Sequence, residues 1–194
     1  FWGVTATDEG VYFAGFGDSF VYDSTYYIEH KSYLVKLPLT GATGAGVGGS
    51  TWYNSPNFFS YSGYESFRPV MATDEEGSTF IYTTGTAQPH GANNHTVVLT
   101  KYDVDGNLLW FRLLTDTVDA NRRGFSNALV ALNGNIYVAG SLHYPSTDPD
   151  AVQAMLWKYD PAGNQIWVRN SSPGTPMAAE AAVALGNHLY LAGG

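Results

Sequence analysis

The chain has 194 residues, of which 44% are hydrophobic and 13% charged, and this balance excludes a disordered chain and permits a sizeable core. Its net charge of −8 disfavours nucleic acid and anionic membrane surfaces as partners, because both attract basic proteins. The sequence has no cysteine and no apolar run of about 18 residues, which excludes disulfide bonds, zinc–thiolate sites and a transmembrane helix.

The first elements in chain order are four short strands separated by turns. VTAT at residues 4–7 predicts strand A, and the DEG that follows it predicts a turn. VYFAG at residues 11–15 predicts strand B, which ends at Gly15, and YLVKL at residues 33–37 predicts strand C. Trp52 marks strand D. Asp and Gly favour the turns because they tolerate positive φ.

The same succession recurs twice and then begins again. Strand B ends in the sequence at the anchor glycines Gly15, Gly85, Gly140 and Gly193. Strand C carries Lys36, Lys101 and Lys158, and strand D carries the anchor tryptophans Trp52, Trp110 and Trp167. Because independent anchors agree on one order of elements, the sequence is a repeat, and no segment shows a helical apolar period.

Four-stranded units repeated at this spacing are typical of β-propeller blades. We therefore predict an all-β fold of antiparallel four-stranded blades, with about 3.3 repeats in an incomplete ring. The predicted unit boundaries are about residues 1–66, 67–125, 126–178 and an incomplete 179–194. Since a ring of blades needs more units than these, we expect the chain to be part of a longer protein or to associate with other copies.

The second and third units resemble a known family. GNIYVAGS at residues 134–141, followed by MLWKYDPAGNQIW at residues 155–167, resembles the repeat of bacterial seven-bladed β-propellers. VVLTKYDVDGNLLW at residues 97–110 is similar to its second half, whereas YLVKLPLTG at residues 33–41 lacks the Tyr-Asp pair. The resemblance implies a secreted or surface-attached bacterial protein, but it assigns no single activity.

Histidines gather in the segments that join strand B to strand C. In a propeller these segments share one face with the D-to-A loops, so histidines of neighbouring blades can approach one another as a metal or acid–base cluster. The residues concerned are His30, His90, His95 and His143. A surface position on long loops is the more ordinary interpretation. The pair Arg122-Arg123 is too short a basic run to indicate a phosphate site.

Aromatic and acidic side chains collect on the same predicted face. The binding residues predicted there are Tyr26, Tyr27 and Glu29 from the first unit and Tyr61 and Tyr64 from the next loop. Such rings stack on sugars or form protein interfaces, where tyrosine is enriched. The alternative is that they pack onto the edge of a blade. The first unit has the longest and most aromatic loops, which makes it the favoured place for a ligand.

The segment that begins at Asp103 resembles the start of a calcium loop, because alternating carboxylates converge there. The equivalent turn that begins at Asp160 has Pro161 and Ala162 in place of Val104 and Asp105. A turn in which Pro-Ala can replace Val-Asp serves mainly to connect the two strands of a hairpin. No metal site is predicted.

We expect a non-enzymatic scaffold of the extracellular space or the cell surface that presents its loops to proteins or glycans, as in an adhesin or a secretion-linked surface complex. Its predicted partners are other protein chains, the remaining blades of the same protein, and glycans. No catalytic residue or cofactor is predicted. Two alternatives stay open. One is a propeller hydrolase, lyase or quinone-dependent oxidoreductase with catalytic residues outside these units, and the other is a structural component of a filament.

Overall fold

A computed structural model gives the fold of the chain. It describes residues 3–7, 10–22, 26–37, 53–54, 61–73, 77–89, 95–114, 123–144, 152–171 and 177–194, with only the backbone at some strand positions. Within these ranges no helix is long and apolar enough to cross a membrane.

The described strands form four antiparallel sheets. Sheet 1 contains β1 (Gly3–Thr7), β2 (Gly10–Tyr22), β3 (Tyr26–Leu37) and β4 (Tyr53–Asn54). Sheet 2 contains β5 (Tyr61–Thr73), β6 (Thr79–Pro89), β7 (Thr96–Tyr102) and β8 (Leu108–Leu113). Sheet 3 contains β9 (Arg123–Leu132), β10 (Asn135–His143), β11 (Val152–Tyr159) and β12 (Gln165–Asn170). Sheet 4 contains β13 (Ala179–Leu185) and β14 (His188–Gly193).

Each sheet is an antiparallel meander in which consecutive strands are neighbours. Sheets 1 and 2 are joined by a single parallel pair, His30 with Gly63, and none of the sheets closes into a ring. The all-β fold of antiparallel sheets with two to four strands, without ring closure, is therefore confirmed. The four unit boundaries stay a prediction, and the second and third sheets begin at Tyr61 and Arg123.

Two segments that the sequence analysis assigned to connections are strands. Residues of β2 and β3 pair continuously from Val11 with Leu37 to Tyr22 with Tyr26, and β5 pairs with β6 from Tyr61 onward. These segments are rich in Tyr, Phe, Val and Ile, whose side chains favour a pleated backbone. The expectation that His30 lies in a loop between strands B and C is therefore wrong.

The prediction that strand B ends at its anchor glycine is wrong for β10, which continues from Gly140 to His143, but the strand beside it requires a glycine there. A Cβ at Gly140 would lie 1.9 Å from the carbonyl oxygen of Phe125, and one at Gly193 would lie 1.8 Å from that of Ala178. In sheet 3 the register of β9 and β10 shifts between Ala139 and Gly140, which marks a bulge. The predicted anchors Gly15 and Gly85 are also buried strand residues.

The two C–D turns that the structure describes, after β7 and after β11, have the same construction. In the turn after β7, the Asp103 Oδ1 accepts hydrogen bonds from the backbone N–H groups of Asp105 at 3.0 Å and Asn107 at 2.8 Å, and Asn107 Nδ2 donates to Oδ2 at 2.8 Å. The Asn107 bonds recur at Asp160 and Asn164, also at 2.8 Å. These carboxylates thus close the hairpins.

Both turns use a glycine with a left-handed backbone. Gly106 has φ of 86° and Gly163 has φ of 85°, a conformation that costs glycine little because it has no Cβ. Each glycine N–H donates to the carbonyl of the turn aspartate, Asp103 or Asp160. The hairpin geometry therefore follows from the D-x-x-G-N sequence.

The core lies between neighbouring sheets. One apolar cluster joins Ile81 and Tyr102 of sheet 2 to Tyr12 of sheet 1. A larger one joins sheets 2 and 3, and Trp110 of β8 packs against it. The third joins sheets 3 and 4 through small residues. The anchor tryptophan Trp110 of strand D thus packs between sheets 2 and 3, whereas Trp52 lies outside the described residues.

Candidate functional site

In sheets 2 and 3, the start of the third strand lies beside the start of the next sheet. The N–H of Gly124 donates to the carbonyl of His95 at 2.8 Å, and the N–H of Met177 donates to that of Val152 at 3.3 Å. His95 also forms a parallel bridge with Arg123. We call this side of the sheets the histidine edge. It gathers residues from the beginning of β7, the beginning of β9 and the end of β10.

Three rings meet at the histidine edge. Antiparallel pairing places Phe125 opposite Ser141 and Arg123 opposite His143, so alternation brings all four to one face of sheet 3. His95 of sheet 2 stacks on Phe125 with a centroid separation of 5.5 Å, and His143 meets Phe125 edge-on at 4.9 Å. The rings of His95, Phe125 and His143 form what we call the ring cluster.

Among the described residues, a hydrogen bond orients one ring of the cluster, that of His143. The hydroxyl of Ser141 and Nε2 of His143 are 3.1 Å apart. Since each imidazole also has polar nitrogens at its rim, the cluster offers flat apolar faces together with hydrogen-bonding groups. All three rings are half-buried, so part of each remains open to solvent.

Burial and a neighbouring cation disfavour the charged form of both imidazoles. Partial burial lowers the pKa of His95, and the positive charge of Arg123 lowers it further. The same two causes, in the same order, lower the pKa of His143. At neutral pH both rings are therefore uncharged, and the positive charge beside the cluster is that of Arg123.

The structure brings together two of the four histidines singled out in the sequence, His95 and His143. His30 lies on β3, and its side chain is outside the described part of the chain, as are those of Tyr26, Tyr27, Glu29, Tyr61 and Tyr64 on β3 and β5. His90 lies outside the described residues altogether. The predicted first-unit binding surface therefore stays a prediction.

Over the described ranges, no group of three or more His, Cys, Asp or Glu side chains is placed to hold a metal ion. In the ring cluster Phe125 stands between the two imidazoles, which suits ring stacking rather than shared coordination of an ion.

Sequence reasoning missed Phe125 and the position of Arg123. Both belong to RGF at the start of β9, whose first and third residues share a face because side chains alternate along a strand. The alternation of Arg123 and Phe125 is visible in the sequence. It places them opposite His143 and Ser141 only once the register of β9 against β10 is known.

Searches against protein-family models and against curated proteins find no match for this chain. The resemblance to bacterial seven-bladed propeller repeats thus stays a prediction from the residues quoted for it.

Proposed function

We propose that this chain is a non-enzymatic β-repeat scaffold of the extracellular space or the cell surface, and that its histidine edge binds another macromolecule. A glycan is the ligand that the ring cluster favours. We also propose that its units belong to the bacterial seven-bladed propeller repeats, on the strength of the K-Y-D-x-x-G-N-x-x-W hairpins.

The observation that carries the proposal is the ring cluster itself. Two separate sheets bring half-buried rings together at the histidine edge, with Phe125 between His95 and His143. Ring faces suit the apolar face of a sugar, while the imidazole rims and the guanidinium of Arg123 suit hydroxyl groups. Rigid sheets that hold such groups at their ends are a common arrangement for binding.

The test is a glycan array with the wild-type protein, followed by calorimetry on the strongest ligand. Phe125→Ala removes the central ring, and we expect it to weaken binding by about tenfold or more, as truncation of a buried aromatic contact does. His143→Ala removes one flanking ring and is expected to weaken binding by a smaller factor.

The matched control is His188→Ala. His188 is an exposed histidine at the start of β14, at the opposite end of strand B from the ring cluster. Its replacement is expected to leave affinity unchanged, and thermal unfolding of all variants shows whether the fold persists. A ligand whose affinity is the same for wild type and a folded Phe125→Ala variant would contradict the proposal.

A further inference from the structure

Three basic residues lie side by side at the histidine edge. Arg123 forms a parallel bridge with His95 on one side and pairs with His143 of β10 on the other. Neighbouring strands lie about 4.8 Å apart, and residues that pair across them project to the same face of the sheet. We call His95, Arg123 and His143 the basic row, with the arginine in the middle.

The charges of the basic row are unfavourably arranged in the protein by itself. Burial is the larger cause that lowers the pKa of both imidazoles, and the charge of Arg123 lowers both further. Among the described residues, Arg123 is the charged group that acts on either imidazole. A cation that disfavours the charged forms of two neighbours is an arrangement that a bound anion relieves, and titratable groups perturbed in this way are concentrated at functional sites.

The middle of the basic row is open to solvent. Arg123 is exposed, whereas the imidazoles on either side of it are half-buried. A guanidinium presents a planar fork of N–H donors that fits a carboxylate with two parallel hydrogen bonds. Each neutral imidazole has one N–H donor of its own. The basic row is therefore suited to an anion that offers several oxygen acceptors.

An apolar ring lies one step along the same face of β9. Phe125 follows Arg123 by two residues, which is about 6.6 Å along a strand. In a hexuronic acid the carboxylate carbon is bonded directly to the sugar ring. When the apolar face of that ring packs on Phe125, the carboxylate reaches hydrogen-bond distance, about 2.8 Å, from the guanidinium of Arg123. The spacing of Arg123 and Phe125 thus matches an acidic sugar.

The overall charge of the protein opposes anionic ligands. The sequence has 17 acidic and 9 basic residues other than histidine, and its net charge is −8. An anionic polymer therefore gains no general attraction to the surface. Its affinity has to come from a local site such as the basic row, and repulsion elsewhere increases the specificity of that site.

We propose that the histidine edge binds an acidic glycan, with the carboxylate of a uronic acid on Arg123 and its sugar ring on Phe125. The ligand class is an oligosaccharide of uronic acids. The inference rests on the proposed function of the ring cluster, and it adds the charge of the ligand and the dependence of binding on pH.

The basic row makes this binding depend on pH. A carboxylate on Arg123 offsets the positive charge that disfavours the imidazolium forms, so the pKa values of His95 and His143 are higher in the complex than in the protein alone. Binding therefore takes up protons, and affinity rises as pH falls through the pKa range of the two histidines. Carboxyl groups titrate only near about pH 4, so the ligand keeps its charge in mildly acidic solution.

The first test compares oligosaccharides that differ only in the carboxylate. Oligomers of galacturonic, glucuronic and mannuronic acid are titrated into the whole chain by calorimetry, together with the same oligomers after reduction of each carboxylate to a hydroxymethyl group. At least one acidic oligomer is expected to bind about tenfold or more tightly than its reduced form, because only the acidic form makes a charge-assisted hydrogen bond to Arg123.

The second test is the pH dependence of the same titrations. Affinity for the acidic oligomer is expected to rise by about tenfold from about pH 7.5 to about pH 5.5, since a rise of about one unit in the pKa of one histidine is enough for that change. Heats measured in buffers of different ionisation enthalpy report the uptake of protons. The reduced oligomer is expected to show neither effect.

Substitution of the middle residue separates charge from ring stacking. Arg123→Gln removes the charge at an exposed position, and it is expected to bring the affinities for the acidic and reduced oligomers within about twofold of each other. It is also expected to raise the pKa of both histidines in the protein alone, which proton NMR measures. Arg169→Gln is the matched control, because it removes the same charge from β12, the strand of sheet 3 farthest from β9. Its expected affinity for the acidic oligomer is within about twofold of wild type.

Two results would overturn the inference. One is an affinity for every acidic oligomer that does not exceed the affinity for its reduced form. The other is a preference for the acidic form that a folded Arg123→Gln variant retains. Binding of neutral glycans that depends on Phe125 but not on a carboxylate would overturn the inference and support the proposed function, whereas a protein that binds no glycan at all would contradict both.

Discussion

Replacing Gly140 by alanine probes the contact that holds strands A and B together. The added methyl group would lie 1.9 Å from the Phe125 carbonyl oxygen and 2.9 Å from the Cα of Ser126. Ordinary contact needs about 3.4 Å, so β9 and β10 must separate by roughly 1.5 Å near the bulge, since neither neighbour is a flexible side chain.

Such a separation weakens the backbone pairing of Gly140 with Ser126 and of Ser141 with Phe125. Overpacking of this kind costs about 1–3 kcal/mol, and a lost buried backbone hydrogen bond adds about 1 kcal/mol or more. The lower chain entropy of alanine in the unfolded state returns about 0.4–1 kcal/mol. We expect a net loss of about 3 kcal/mol in the free energy of unfolding.

The assay is urea denaturation at equilibrium, supported by thermal unfolding, in which a loss of about 3 kcal/mol corresponds to roughly 6–12 °C for a chain of this size. Gly194→Ala is the matched control, because its added methyl group meets nothing within 4 Å. Gly134→Ala adds backbone strain at φ of 68° without a clash and is expected to cost about 1 kcal/mol. A Gly140→Ala variant as stable as the Gly194→Ala control would refute the reasoning.

Three further substitutions test polar contacts. Burial acts to raise the pKa of Asp103, but the hydrogen bonds from the side chain and backbone of Asn107 outweigh it and lower that pKa below its ordinary value. The ionised carboxylate of Asp103 thus stabilises the fold above about pH 3.9, and this stabilisation is lost as pH falls through the lower pKa of the folded state. We expect Asp103→Ala to lower the free energy of unfolding by about 1 kcal/mol at neutral pH and to make stability depend less on pH in the acid range. A variant whose stability depends on pH as the wild type's does would contradict this prediction. Ser126 is buried, and its hydroxyl has no hydrogen-bond partner among the described residues, so Ser126→Ala should raise the free energy of unfolding by about 1 kcal/mol, whereas a loss of stability would argue for a partner. The hydroxyls of Thr83 and Thr100 form a hydrogen bond of 2.6 Å in the core. We expect Thr83→Val or Thr100→Val alone to lower the free energy of unfolding by about 1–2 kcal/mol, and the double variant to lower it by less than the sum of the two. A double-mutant cycle based on urea denaturation measures this non-additivity.

The sequence alone predicted the features that depend on near neighbours in the chain. D-x-x-G-N predicts the turn after β7 because Asp103 and Asn107 are four residues apart and bond each other directly. The repeated Y-x-A-G pattern predicts β10 and β14, and the related Y-T-T-G predicts β6. Extended apolar and aromatic runs were harder, since long strands such as β2 and β3 continue through residues that also suit loops.

The candidate site was predictable only in part. The order of strands within a unit indicated that His95 and His143 belong to one edge of neighbouring sheets, and the structure places both against Phe125. The contribution of Phe125 itself depends on the register of β9 against β10, which includes a bulge. A shift of one residue would turn that ring to the other face of the sheet.

The anchor lysines of the repeat show most clearly how information in the sequence differs from information in the tertiary structure. Local pattern alone marked Lys36, Lys101 and Lys158 as equivalent, because each follows the same apolar run. Their partners are carbonyls 68 residues away for Lys36 and 60 residues away for Lys101, on a different sheet, and only packing brings such groups within hydrogen-bond distance. Strand type, turn chemistry and repeat order are short-range properties and follow from the sequence. The contacts between sheets, and with them the ring cluster, depend on long-range packing and were decided by the tertiary structure.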